Sequence, residues 1–338
     1  MKKQNLRTAI AAATAMLVLI LDGRTALSGA SEGISVCINT LIPSLFPFIL
    51  LSILLAGSLS GQEIPFLRPA TKLCHLPKGA ESLLAIGFLG GYPIGAQNVA
   101  LLYRSGQVSN LQASRMITIC NNAGPAFIFG VLGSMFSSPT IPWLLWAIHI
   151  ASALLVGAVL PGGENSTAVS PLPRRIRMTD ALSQSVRTMG LICGWVILMR
   201  MAVSFLQRWF LWMMPLPLQV VVTGILELAN GCIQLESISC EGLRFLLASA
   251  FLSLGGGCVM LQTASVTEGI PMSLYFPGKL LQCTVSILLA CGAQYLFPAP
   301  QRFSCGIIFS ISAIISAGSL LNLRKFKNNS RIPEIIGV

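Results

Sequence analysis

Charge is what this sequence has least of. Asp, Glu, Lys and Arg make up 10% of the 338 residues, against roughly 25% in soluble domains, and so few charges cannot coat a water-soluble fold of this length. Aspartate occurs twice, as Asp22 and Asp180, and histidine twice, as His75 and His149. His75 sits beside a loop and His149 stands alone on an apolar helix, so no acid–base pair or Ser/His/Asp set can be assembled. HExxH and Walker A motifs are also missing. Ten cysteines are present, but without a CxxC pair or a Cys/His cluster they read as small polarizable packing residues, with neither a metal nor a disulfide framework implied. These absences argue against an enzyme, a metal centre and a bound cofactor.

What is present is apolar sequence: 54% hydrophobic residues and a mean hydropathy of +0.77. At about 20 residues per crossing the chain has room for roughly eight to ten membrane segments and no separate soluble domain. The net charge of +11 lies at the ends of apolar runs, which points to an oriented membrane protein and away from a nucleic-acid binder. The lipid bilayer is thus the first partner implied. Lys2, Lys3 and Arg7 precede an apolar run that ends near Leu21, read as a first helix or signal anchor; cleavage near Ala26 or Ala30 is the alternative.

Apolar runs fall at about 8–21, 34–57, 82–103, 116–136, 141–160, 188–214, 218–235, 243–266, 272–297 and 303–323. The polar, Pro/Gly/Ser-rich stretch 161–180 splits the chain nearly in half. Each half begins with ALS, at Ala26 and Ala181, and runs through a long apolar helix to a short Gly-started segment, GFLGGYPIGA from Gly87 or GILELANGCI from Gly224. A Gly-containing helix and then a plain one follow. The pattern predicts an all-α polytopic fold with about eight transmembrane helices plus two re-entrant or broken ones. Its expected divisions are a first helix (1–25), two repeats (26–160 and 181–300), a linker (161–180), and a last helix with a basic tail (301–338).

Charge placement bears on the crossings. If every run spans, Arg174, Arg175, Arg177 and Arg187 land outside, against the positive-inside bias. If 82–103 and 218–235 enter and leave by one face, Arg24, Arg208, Arg244 and Arg302 fall outside, Arg200 lies within a helix, and the other seventeen basic residues are cytoplasmic. The repeats then have inverted topology, in a cytoplasmic membrane, with both termini inside.

Candidate functional residues sit where a straight helix is hard to build. Gly90, Gly91, Pro93 and Gly95 interrupt the segment 82–103, and irregular backbone at membrane depth survives only against protein or a wet cavity. Tyr92, Gln97 and Asn98 supply polar groups beside it; a kinked helix with glycines that allow close packing is the competing reading. Asn121 and Asn122, with Gly124 and Pro125, fall in the middle of an apolar helix, as interhelical glue or as a site. In the second half Glu227 is the carboxylate expected at membrane depth, near Asn230 and Gln234. It serves either as a functional group or as half of an ion pair with Arg200, taken as the basic residue inside a span. Gly255, Gly256, Gly257, Gln262, Thr263 and Ser265 form a small, polar helix face. Gly157 is expected in a plain, lipid-facing span.

The stretches GGYPIGAQ, LYRSGQVS and CNNAGPAFIFGVLG, with GILELANG and LGGGCVMLQTASV in the second half, resemble the sporulation integral membrane protein YlbJ family over roughly residues 30–320. That family is built from nucleoside-recognition or gate domains. The resemblance implies an inner-membrane protein of spore formation, either a transporter-like protein that moves or senses a small polar, nucleoside-like solute or a non-transporting assembly factor for the spore envelope. Tyr92, Pro93, Asn121, Asn122, Pro125, Glu227, Asn230 and Gln262 match its motif positions. Oligomeric state is left open. The topology has a direct check: thiols introduced at Ser170 and Ser330 should stay unlabelled by a membrane-impermeant maleimide added to intact cells, and labelling at either overturns the arrangement.

Overall fold

A computed structural model describes residues 2–59, 62–161, 168–169, 176–296, 302–304, 306, 312, 316, 318 and 319. The basic tail, most of the segment 303–323 and most of the linker 161–180 lie outside them. The described residues are helical throughout, with no strand among them. Six helices are long and apolar enough to cross a membrane, and two shorter apolar helices, Leu6–Leu21 and Leu216–Leu226, accompany them. The chain is a polytopic helical membrane protein.

In the first half, α1 (Lys2–Leu21) is joined through Asp22 to α2 (Gly23–Val36), whose first turn Asp22 caps by accepting from the Thr25 amide. A wide turn, Cys37–Leu41, leads into α3 (Ile42–Leu59). After the short α4 (Arg68–Leu73) come α5 (Glu81–Leu89) and α6 (Ile94–Arg104), separated by Gly90–Pro93. Next are α7 (Asn110–Cys120), opened by a Ser109–Gln112 capping box, then one turn, α8 (Pro125–Phe127), and α9 (Ile141–Val159).

The second half repeats this order: long α10 (Met178–Trp209); paired short helices α11 (Leu216–Leu226) and α12 (Leu228–Gln234); broken α13 (Glu241–Leu254) and α14 (Gly256–Val266); plain α15 (Tyr275–Ala293). The long helices of the two halves pack together, α10 against α2 and α3, and so do the plain ones, α9 against α15.

The break in 82–103 is present, but it has three counterparts. The helix through Asn121 and Asn122 is not continuous: residues 121–124 leave helical geometry, since Pro125 has no amide to continue the ladder and disfavours helix at Gly124, whose ψ is 163°. Glu227, extended at φ −143°, separates α11 from α12. Gly255 and Gly256 separate α13 from α14 with φ of +75° and +74°, two consecutive left-handed residues that side-chain-bearing residues rarely adopt. That accounts for the glycine tract at 255–257.

Glycine also sets the closest approach of the long helices. A Cβ at Gly29 would lie 2.9 Å from Met201 Cα, and one at Gly33 2.9 Å from Ile197 Cα; the i, i+4 spacing is that of small-xxx-small packing. Gly157 is corrected here: it is buried against Cys74, 2.6 Å from the sulfur to an added Cβ, and faces no lipid. Gly190 on α10, with nothing within 4 Å, is an open position. Gly29→Leu or Gly33→Leu should destabilise the detergent-solubilised protein by about 1–3 kcal/mol through overpacking, while Gly190→Leu leaves its melting temperature near that of the parent. Equal losses at all three would remove the close α2–α10 contact as their cause.

Candidate functional site

The four helix breaks converge. A Cβ on Gly91, itself at φ +75°, would lie 3.0 Å from the Gly124 nitrogen, so the first and second breaks touch backbone to backbone. Across the halves, the Tyr92 hydroxyl donates to the Leu252 carbonyl at 3.0 Å, near the end of α13 where carbonyls lose their helical donors. At Gly256 an added Cβ would lie 3.0 Å from Gly224 O and 3.1 Å from Ile225 O, which seats the fourth break on α11.

Where they converge lies a cavity of about 60 Å³. Its polar wall is Glu227, Gln262 and Tyr92, joined by the backbone of Gly90, Gly91 and Gly124; the other side is closed by Leu41 from the wide turn, Leu45, Phe48 and Ile49 from α3, and Ile192 and Val196 from α10. A water molecule needs about 10–15 Å³ of such space, so the cavity has room for several.

Glu227 does not pair with Arg200. Arg200 Nε donates to Glu32 at 2.9 Å, and Nη2 meets the same carboxylate. Glu32 therefore lies ten residues inside a helix and is a second carboxylate in a spanning segment, not a loop residue. Glu227 instead caps α12: Oε1 accepts from the Ala229 amide at 3.0 Å, and Oε2 accepts from both the backbone and side-chain nitrogens of Asn230 at 2.6 Å. The helix N-terminus thus supplies its stabilising partial positive charge. Three of roughly four acceptor positions are used, so one remains for a group in the cavity. Asn230 is the brace of that carboxylate and is absent from the cavity wall.

Beside the cavity runs a buried polar network. Asn121 donates to Thr263 Oγ1 at 2.8 Å and the Tyr275 hydroxyl at 3.0 Å and accepts from the Ala96 amide at 3.3 Å, tying the second break to α6, α14 and α15. Asn122 Oδ1 accepts from Lys279 Nζ at 3.0 Å and from Gln282 at 3.2 Å, and Lys279 also donates to Gln282 Oε1 at 2.9 Å. The Lys279 ammonium stands 5.6 Å from the Tyr92 ring centre and 5.7 Å from that of Tyr275, within cation–π range. His149 Nε2 accepts from the Ala123 amide at 3.0 Å, which leaves the ring proton on Nδ1, 3.3 Å from Ser253 Oγ. His149 is thus a packed, hydrogen-bonded residue that ties α9 to the second break.

Of the sequence-derived candidates, Tyr92, Glu227 and Gln262 reach the cavity with Gly90, Gly91 and Gly124. Asn121 and Asn122 lie in the adjoining network. Pro93 follows Tyr92 through a cis peptide bond, and Pro125 opens α8. Gln97 turns aside to Thr188 at 3.5 Å, Asn98 bonds back to Ile94 O, and Gly95 abuts the Cys120 carbonyl. Lys279, one of the basic residues expected on the cytoplasmic side, is fully buried in α15, so Arg200 is not alone as a basic residue within a span. Arg115, 2% exposed, is a further one, held by the carbonyls of Cys74, Gly157, Leu160 and Pro161. The spacing Lys279-x-x-Gln282, inside rather than beside an apolar run, was the available signal. No group of three or more His, Cys, Asp or Glu capable of holding a metal occurs among the described residues.

Unequal costs should expose the network. Asn122→Leu strips the buried ammonium of one of its two oxygen acceptors, at a cost on the order of 3–5 kcal/mol, whereas Lys279→Met orphans a neutral amide oxygen, at about 1–3 kcal/mol. The double variant should therefore be more abundant in membranes than Asn122→Leu alone. A double variant no better than that single one would remove Lys279 as the group that needs Asn122.

No family model matches the chain, and no solved structure matches it. Among curated proteins it is similar to the sporulation integral membrane protein YlbJ of Bacillus subtilis (strain 168), with 24% identity over 314 residues, covering 78% of this chain and 76% of that protein. The similarity runs through both halves of a chain folded as a polytopic helical membrane protein, and it supports the assignment to the YlbJ family of sporulation integral membrane proteins.

Proposed function

We propose that this protein binds a small polar solute at the junction of its helix breaks and moves or senses it across the cytoplasmic membrane during spore formation, without catalysing a reaction. The reading rests on one observation: three interruptions of spanning or hairpin helices, distant in sequence, line one cavity together with Val259 and Gln262 of the helix that follows the fourth, and the cavity holds an incompletely used carboxylate. Broken helices place amides and carbonyls where side chains alone would give a featureless apolar wall, which is how membrane carriers build sites near the bilayer midplane. Spore formation enters through the relative's name, and the inward orientation of both termini through the basic residues.

The cavity's size narrows the mechanism. A solute of the nucleoside class asks α3 and α10 to draw further from the breaks than a solute of a few heavy atoms does. The apolar residues that α3 and α10 contribute suit such a wall, because they make no hydrogen bond to the breaks that opening must sever.

Nucleosides, nucleobases, amino acids and metal ions, each added to the purified protein, provide the test. A ligand at 100 times its Kd stabilises the fold by about 2.7 kcal/mol, seen as a raised melting temperature. Glu227→Gln keeps one acceptor oxygen on α12, so it should cost only about 1 kcal/mol of stability while abolishing the ligand-induced rise and function in a spore-formation assay. If no solute stabilises the parent protein, and Glu227→Gln at normal abundance still supports spore formation, the solute reading fails and an assembly role takes its place.

A further inference from the structure

The cavity at the helix breaks has a chemical sign. Glu227 keeps one acceptor position after Ala229 and Asn230 have donated to it, and all three of those contacts are N–H groups, the complement of an ionised carboxylate. Gln262 on α14, 3% exposed, turns its amide nitrogen to Cys258 Sγ at 3.3 Å, and no described residue donates to its Oε1. The Tyr92 hydroxyl gives its proton to Leu252, so its oxygen meets a further group only as an acceptor. Each polar side chain on the wall thus has an acceptor to spare.

No basic residue answers the Glu227 charge. The Arg200 guanidinium is taken by Glu32, and the Lys279 ammonium is held by Asn122 and Gln282. Among the described residues no ion pair includes Glu227. A buried carboxylate without a counter-charge is costly, and a cationic ligand removes that cost.

The opposite wall decides which cation. The wide turn, α3 and α10 present only hydrocarbon there. A bare divalent metal ion takes about six oxygens arranged around it and finds oxygens on one side alone. A primary ammonium suits both walls: its N–H groups face the acceptors, and its aliphatic chain lies against leucine, isoleucine and phenylalanine. The volume of about 60 Å³ sets the length. At about 10–15 Å³ for each water-sized group, it holds roughly four to six non-hydrogen atoms.

We infer that the cavity is a site for a short-chain primary amine in its protonated form, with the ammonium on Glu227, Gln262 and Tyr92 and the alkyl body against α3 and α10. The inference rests on the solute reading of the same cavity and narrows it, because a neutral or anionic solute of equal size leaves the carboxylate without a counter-charge.

The test is a melting-temperature titration of the purified full chain in mild detergent. The probe is n-butylammonium; the controls are butan-1-ol, butyrate, tetramethylammonium and, at matched ionic strength, sodium chloride. Butylammonium should raise the melting temperature saturably, and from methyl- to butylammonium each added methylene should tighten binding about fourfold. The controls should give no saturable rise. Glu227→Gln should weaken butylammonium binding about ten- to a hundredfold, and Gln262→Leu, which leaves the cap of α12 untouched, should weaken it too. An equal rise with any control, or a Glu227→Gln variant that binds butylammonium like the parent, overturns the inference. Should that variant fail to accumulate, the charge and chain-length series on the parent decides by itself. Absence of any rise with amines overturns the inference as well. If a nucleoside or another solute then stabilises the parent, this inference alone falls; if none does, the solute reading loses its support with it.

Discussion

A backbone amide or carbonyl released from its helix inside a bilayer has no water to turn to, and the core of this protein is organised around meeting that demand four times. The carbonyl of Leu252 is met by a tyrosine from the other half of the chain, and the first amides of α12 are met by Glu227. The Ala123 amide is met by His149, and that of Ala96 by Asn121. Each break is stable only because another element stands against it, so the breaks hold one another in place and the cavity is what their meeting leaves unfilled.

That dependence explains the glycines. Gly87 and Gly95 both lie against the Cys120 carbonyl, and Gly224 and Gly231 abut each other in the second hairpin. In each half, a short helical pair comes close enough for backbone-level contact, and a Cβ at any of these positions would drive the elements apart before the polar side chains could reach.

Much of this was legible in the sequence, because glycine and proline mark places where a helix cannot continue. The break at Gly90–Pro93, and the importance of Asn121, Asn122, Glu227 and Gln262, came from residue types rare in apolar segments. The partners were not legible. Asn121 meets Thr263 across 142 positions and Lys279 meets Asn122 across 157, and hydropathy carries no information about such pairings. Lys279 looked like a flanking charge because a lysine near the start of an apolar run normally is one. The ion pair proposed for Glu227 failed for a related reason: Glu32 precedes the most apolar stretch of its helix, so its place opposite Arg200 emerged only from the packing of α2 on α10.

Arg115 carries a consequence for how the chain is made. Its guanidinium is held by four carbonyls, three of which, on Gly157, Leu160 and Pro161, lie 42, 45 and 46 residues further along. A ribosome adding about 5–20 residues per second needs several seconds to reach them. During that interval α7 carries an arginine with three of its four acceptors not yet synthesised. The first half of the molecule therefore cannot settle helix by helix as each segment leaves the translocation machinery. It closes only when the end of α9 arrives, and until then the growing chain needs either the headgroup region or the insertion apparatus to shelter that charge.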